Sequence, residues 1–286
     1  MKRIVLLTVF ATLLLSANSA YAWGGWAHKL ITYTADKYLE DDVREKVEHY
    51  LGSPMINHCV WMDQIRKPIH KKDHPDHKAF QAYRPSLRWH HCVVDKNFKV
   101  SDARSKKGSG AMMPNLEKCI ENLRNYRNLT DSAVAVNLKY TIHMLEDMHC
   151  PSHIFYTEFP DCFEGLAPGE KSRGFMPVYY DEKKTTFHAV WDGLSLRAIY
   201  PDLGKDYELF RKELDKYSAK QREKICKGTI NDWASDAGRR CRPVYDGVEA
   251  YDHLDRDFLL KHREISEGQA MRSAYRIAHL LNEIFR

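Results

Sequence analysis

The sequence predicts an all-α protein folded as a single compact multi-helix domain. Apolar residues recur at helical spacing in segments spread from near residue 23 to the C-terminus. Residues 23–286 are enough for one substantial core, and no linker-like stretch divides them.

Residues 1–22 read as a secretory signal peptide. Lys2 and Arg3 make a basic start, Ile4 to Leu15 an apolar run, and Ala20-Tyr21-Ala22 a cleavage site. That run is too short to cross a bilayer, and no later segment approaches about 18 consecutive apolar residues. The expected product is therefore exported, to a periplasm or beyond the cell, with Trp23 as its new N-terminus. The formal charge of the full sequence is +5, or +3 once Lys2 and Arg3 are removed, too small to argue nucleic-acid binding from net charge. Seven cysteines in an exported chain predict roughly one to three disulfides with at least one thiol left over.

Trp23-Gly-Gly-Trp26-Ala-His28 opens a helix running through Leu39, with Ile31, Ala35, Tyr38 and Leu39 as its inward face. A free amine at Trp23, with an ordinary pKa of about 8, is able to lose its proton to a metal, and the Trp23 carbonyl can close a chelate ring with it. Alternatively, the two tryptophans are core anchors and His28 is incidental. A charged helix over 41–51 stops at Gly52-Ser-Pro54. Asp63 and Arg66 share a further helical segment, either as a surface ion pair of little energetic value or as a ligand with an anion-binding guanidinium beside it.

Arg66 to Lys78 reads as a solvated loop dense in Lys and His, with a substrate-guiding rim or an adventitious metal site as the alternatives. In Trp89-His90-His91-Cys92 either histidine can serve as a ligand, and residues 96–112 read as an exposed loop. Residues 114–126 form a helix, and Asn128-Leu-Thr130 is a glycosylation sequon in a eukaryotic host.

The helix predicted over 132–148 carries the chemistry. His143 and Asp147 stand four apart and share a face, so both reach one point. Pro151 ends the helix just after Cys150, and His153 follows from the turn to serve a second point nearby. His188-Ala-Val-Trp-Asp192 repeats the His-x3-Asp spacing, again in a segment that reads as helix. Imidazole and carboxylate donors converging in this way suit zinc. Cys92 and Cys150 are adjacent to these candidates and read first as disulfide partners or buried thiols. Between the two motifs, Phe155 to Thr186 is expected to be irregular and to wall a cleft. Helices follow over 193–200, 205–217, 219–235 and 265–285, as scaffold.

Taken together, W-x4-H from Trp23, W-x-D-x-I-R around Asp63, the Trp89-His90 pair, H-x3-D-x5-H from His143 and H-x2-W-D ending at Asp192 resemble the zinc-dependent nuclease family typified by nucleases S-one and P-one. The resemblance covers residues 23–192 by motif. It implies a helical fold of the phospholipase C and nuclease P-one type holding three zinc ions. Asp63, His90, His143 and Asp147 would hold the first. The Trp23 amine and carbonyl, His28 and a bridging Asp147 would hold the second, and His153, His188 and Asp192 the third. It further implies an endonuclease and 3′-nucleotidase acting on single-stranded nucleic acid, with Asp63, Arg66 and Asp147 catalytic, Arg66 stabilising phosphate charge. Because the Trp23 amine exists only after cleavage, activation would be tied to export.

Departures fall in the substrate pocket. His91 stands where an aromatic residue commonly stacks on a base, Arg173-Gly-Phe175-Met-Pro177 replaces a Gly-Gly-Asn segment, and Thr186 replaces a common Asn. His91 and Phe175 are the remaining candidates for base stacking. Two alternatives stand: a zinc-dependent phospholipase C, disfavoured by the short Trp-to-His spacing and by Asp192 in place of Glu, and a zinc-stabilised, non-catalytic helical binding protein.

Overall fold

The computed structural model describes residues 24–104, 108–159 and 173–286. Helices make the architecture. The first is α1, Gly25–Asp36, followed by α2, Asp41–Leu51, which ends on Gly52 at φ 75°, a left-handed position that glycine takes without steric cost. Short helices α3 (Trp61–Gln64), α4 (Arg66–His70) and α5 (His77–Phe80) lead to strand β1 (Cys92–Val94). Next come α6 (Met112–Arg124), α7 (Asp131–Asp147) and strand β2 (Ile154–Tyr156).

The hairpin β3–β4, Pro177–Tyr180 and Lys183–Thr186, runs directly into α8, Phe187–Ala189, and a wide π-type turn over Val190–Leu194. The chain finishes with α9 (Ser195–Ile199), α10 (Tyr207–Leu214), α11 (Ala219–Cys226), α12 (Ile230–Cys241), strand β5 (His253–Leu254), α13 (Arg256–Lys261) and α14 (Arg263–Phe285).

Helices α7 and α14 form the centre: α14 packs against α1, α7 and α11, while α6, α2 and α3 pack around α7. Helix α7 begins where Thr130 accepts a hydrogen bond from the Ala133 amide, satisfying one of the free N–H groups of the first turn. From Tyr140 to Asp147 it is buried on every face. A helix enclosed in this way must be apolar or must have a partner for each polar group. Thr141, His143, Glu146 and Asp147 are the polar exceptions, and the last three are titratable, which makes the centre of the protein the place to look for chemistry.

Strands β1 and β2 pair in parallel, with Cys92 opposite Ile154 and Val94 opposite Tyr156. That register carries back one residue to bring His91 abreast of His153. The β3–β4 pair is antiparallel and joined by the two-residue turn Asp181–Glu182, both at positive φ (46° and 61°), as a type I′ hairpin requires. Strand β5 adds to β3 in parallel.

The all-α reading holds, with local corrections. The stretch from Arg66 to Lys78 contains α4 and the start of α5, Pro68 sitting in the first turn where its missing N–H costs nothing. The segment expected to be irregular from Phe155 to Thr186 contributes β2 and the hairpin; its residues 160–172 lie outside those described. Helix α7 stops at Asp147, before Cys150, because Cys150 is extended, the conformation favoured ahead of a proline, and Pro151 opens a separate 3-10 turn through His153. The helix expected over 219–235 is two helices, divided at Gly228 with φ 94°.

No disulfide forms among the described residues: Cys59, Cys92, Cys119, Cys150, Cys226 and Cys241 are all buried free thiols, and Cys162 lies outside the described residues. Each serves the core as a small apolar filler. Burial pushes the Cys92 and Cys119 thiols up to about 12 and Cys226 up to about 11.

Candidate metal centre

Around the C-terminal half of α7, eight of the expected ligands come together: His28 from α1, Asp63 from α3, His90 ahead of β1, His143 and Asp147 from α7, His153 ahead of β2, His188 from α8 and Asp192 from the π-type turn. All are buried. The expected ligand Trp23 lies outside the described residues.

Asp147 is the hub. Its Oδ2 lies 2.9 Å from His90 Nδ1, 3.3 Å from His143 Nε2 and 3.6 Å from His153 Nδ1, while Oδ1 lies 3.6 Å from His28 Nε2. One turn of helix sets the His143–Asp147 approach, as the spacing predicts. On the far side, His153 Nε2 is 3.6 Å from Asp192 Oδ1 and 3.0 Å from His188 Nε2, and His188 Nδ1 is 3.6 Å from Asp192 Oδ2. The pair at 188 and 192 keeps its contact although the helix widens between them.

Three of the histidines are held by the same device. His28 donates from Nδ1 to Glu146 Oε2 at 2.5 Å, His143 from Nδ1 to the Cys59 carbonyl at 2.7 Å, and His153 from Nδ1 to the His90 carbonyl at 2.6 Å. With Nδ1 carrying the proton, each Nε2 faces inward as a lone-pair donor, the tautomer a metal requires. Glu146 is itself fixed by Thr32, whose hydroxyl donates to Oε1 at 2.5 Å.

Electrostatics point the same way. Asp63, Glu146, Asp147 and Asp192 are four carboxylates removed from water around these imidazoles, an arrangement that needs positive charge to offset desolvation. Burial opposes ionisation of Asp147, but the neighbouring His153 and His143 outweigh it and hold the carboxyl well below its ordinary range. Burial and then the charge of His153 push His188 well below the ordinary range, and Arg66 adds to this, so Arg66, at the start of α4, is near enough to act on the cluster. Burial drives Asp192 well above its usual value.

Fit to metal is tested by what the protein leaves unpaired. Both oxygens of Asp63, Nε2 of His90, Oδ1 of Asp147, Nδ1 of His188 and Oδ2 of Asp192 are buried without a hydrogen-bond partner. Buried polar atoms are normally satisfied, and these are ligand-type atoms on residues that converge here. Four groups among the described residues have donor atoms close enough to share an ion: His28 with His143 and Asp147; Asp63 with His90 and His143; His91 with His153 and His188; and Cys150 with His153 and Asp192.

Residues outside the expected set take two kinds of part. Glu146 escaped notice, although a carboxylate one place before Asp147 in a buried apolar helix was a signal. His149 belongs to the motif by sequence yet turns away: its Nδ1 donates to the Leu145 carbonyl, and its Nε2 accepts from Arg276 at 2.7 Å. Burial, then Arg276, lowers it to about 3, so it is a neutral acceptor. The two residues expected to stack on a base pack over the third group: Phe175 stacks on His188 at 4.5 Å, and His91 on Phe155 and His153.

Beside the centre runs a cleft of about 990 Å³, with Asp192 on its wall and five cations around it: Lys29, Lys183, Lys184, Arg197 and Lys205. Two of these lysines come from β4, so the hairpin sets charge over the cleft.

A helical fold that gathers buried imidazoles and carboxylates into groups able to hold metal, beside a cationic cleft, defines a helical metal-binding class suited to anionic substrates. Within that class the chain belongs to the S1/P1 nuclease family: the S1/P1 Nuclease family model matches residues 23–286, essentially the whole chain beyond the expected leader. No curated protein matches the chain. The family is one of nucleases, and no helix among the described residues is long and apolar enough to cross a membrane.

Proposed function

We propose that the protein is a trinuclear-zinc phosphoesterase, an endonuclease that hydrolyses phosphodiester bonds of single-stranded DNA and RNA and acts also on 3′-nucleotides. The observation that carries the reading is the position of Asp147, one carboxylate facing His28 through Oδ1 and His90, His143 and His153 through Oδ2. In this reading Asp63, His90, His143 and Asp147 hold one ion, Trp23, His28 and Asp147 a second, and His153, His188 and Asp192 a third.

When bound, zinc supplies Lewis acidity toward phosphoryl oxygens and lowers the pKa of water. The chain's own residues do the rest. Glu146 and the Cys59 and His90 carbonyls keep His28, His143 and His153 in the donor tautomer, so no reorganisation is needed as charge develops. Arg66 brings positive charge toward the reacting phosphate from the side of His188. The cleft lysines hold the flanking phosphates of a single strand. Residues 1–22 act as an export leader and 23–286 as the catalytic domain; the family match begins at Trp23, where the new amine would stand.

The test compares the chain from Trp23, zinc-loaded, on single-stranded DNA, RNA, a 3′-nucleotide and phosphatidylcholine, with Asp147→Asn as control. Nucleic-acid cleavage that falls by about 100-fold or more in the control is expected. Lipid cleavage alone would establish a phospholipase C, and bound zinc without hydrolysis a binding protein.

A further inference from the structure

We propose that His91 is a further protein ligand of the third metal group, joining His153, His188 and Asp192. The inference rests on the zinc reading above and deepens it.

Backbone register makes the arrangement. Parallel pairing of β1 with β2 sets His91 abreast of His153, and their rings stack at 4.9 Å with only 9° between planes. Donor nitrogens of His91, His153 and His188 all lie within 4.8 Å of one another. His91 is 9% exposed, yet neither Nδ1 nor Nε2 has a hydrogen-bond partner. A neutral imidazole has one donor and one acceptor to satisfy, and leaving both unmet in the interior is costly. A ring placed merely to stack gains nothing from those two nitrogens, since phenylalanine would pack there without the penalty. An ion shared with His153 and His188 uses one of them.

Cys150 is the competing fourth donor, because its thiol lies 3.7 Å from Asp192 Oδ1. That sulfur is already engaged with the Ser152 hydroxyl at 3.2 Å, whereas His91 has no such commitment. His91 would then link β1 to β2 and α8 through the third ion, taking one of the positions that three ligands leave to water.

Two measurements on the zinc-loaded protein decide it. In crystals of the unaltered chain, anomalous scattering at the zinc edge is expected to place an ion about 2.1 Å from a His91 ring nitrogen. An ion at His153 and His188 bonded through Cys150, or out of reach of His91, overturns the proposal. In solution, His91→Phe keeps the aromatic packing and removes the ligand. Against a chelator it is expected to release one zinc at least ten-fold faster than the unaltered chain, while two others leave at unchanged rates. Equal retention of all ions in the two proteins overturns the proposal and leaves the nuclease reading standing. An unaltered chain that binds no zinc and cleaves no nucleic acid overturns both.

Discussion

Glu146 shows how one side chain governs a site it need not enter. Its carboxylate accepts a hydrogen bond from His28 Nδ1 and is braced by Thr32, so the orientation of His28 depends on a residue of another helix. Glu146→Gln retains shape and removes charge, weakening the pull on that proton. Zinc affinity measured by chelator competition should fall by about 10- to 100-fold, with the fold little changed; unaltered affinity would show that the hydrogen bond is incidental. His143 and Asp147 were legible in the sequence because a single helix fixes their distance. The partnership of Glu146 with α1 was not, since no local spacing reveals which helix a buried carboxylate faces. The stacking of His91 on His153 was hidden for the same reason: it depends on two strands of three residues each, about sixty positions apart, too short to leave a periodic trace.

Between elements, α12 and α14 are tied by Asp236, which receives Arg276 at 2.8 Å and Arg272 at 3.4 Å, while Arg240 approaches from its own helix. Burial works against the carboxylate, but Arg276 and Arg272 outweigh it, so its pKa is lowered. A group whose folded pKa lies below its unfolded value of about 3.9 stabilises the protein fully above that value and loses the contribution as pH falls through the folded one. Asp236→Asn should therefore cost about 3 kcal/mol in denaturant unfolding at pH 7, because Arg276 is left buried and short of a partner. The gap from the unaltered chain should close as the comparison moves toward pH 3; a gap independent of pH would mean that the carboxylate contributes only packing. Helices with long periodic faces, such as α2 and α14, were readable from the chain within a residue or two. The hairpin over the cleft was not, because its turn is Asp181–Glu182 at positive φ without a glycine to announce it.

For the molecule as a whole, the modest net charge conceals a concentration of cations at one cleft, visible only once α1, β4, α9 and the turn before α10 are assembled. Single-strand binding should depend on it. Replacing Lys183 and Lys184 together by Gln should raise KM, leave kcat unchanged, and make the salt dependence of binding shallower by about 0.7 in log–log slope for each lysine that contacts phosphate. An identical slope would place the strand elsewhere. The enclosed thiols carry a different consequence. Six sulfurs distributed from Cys59 to Cys241, each shielded from water, form a built-in record of opening. A thiol-specific reagent can reach each one only when the structure around it parts, so the rates at which the six are modified chart how stability is distributed through the interior, site by site.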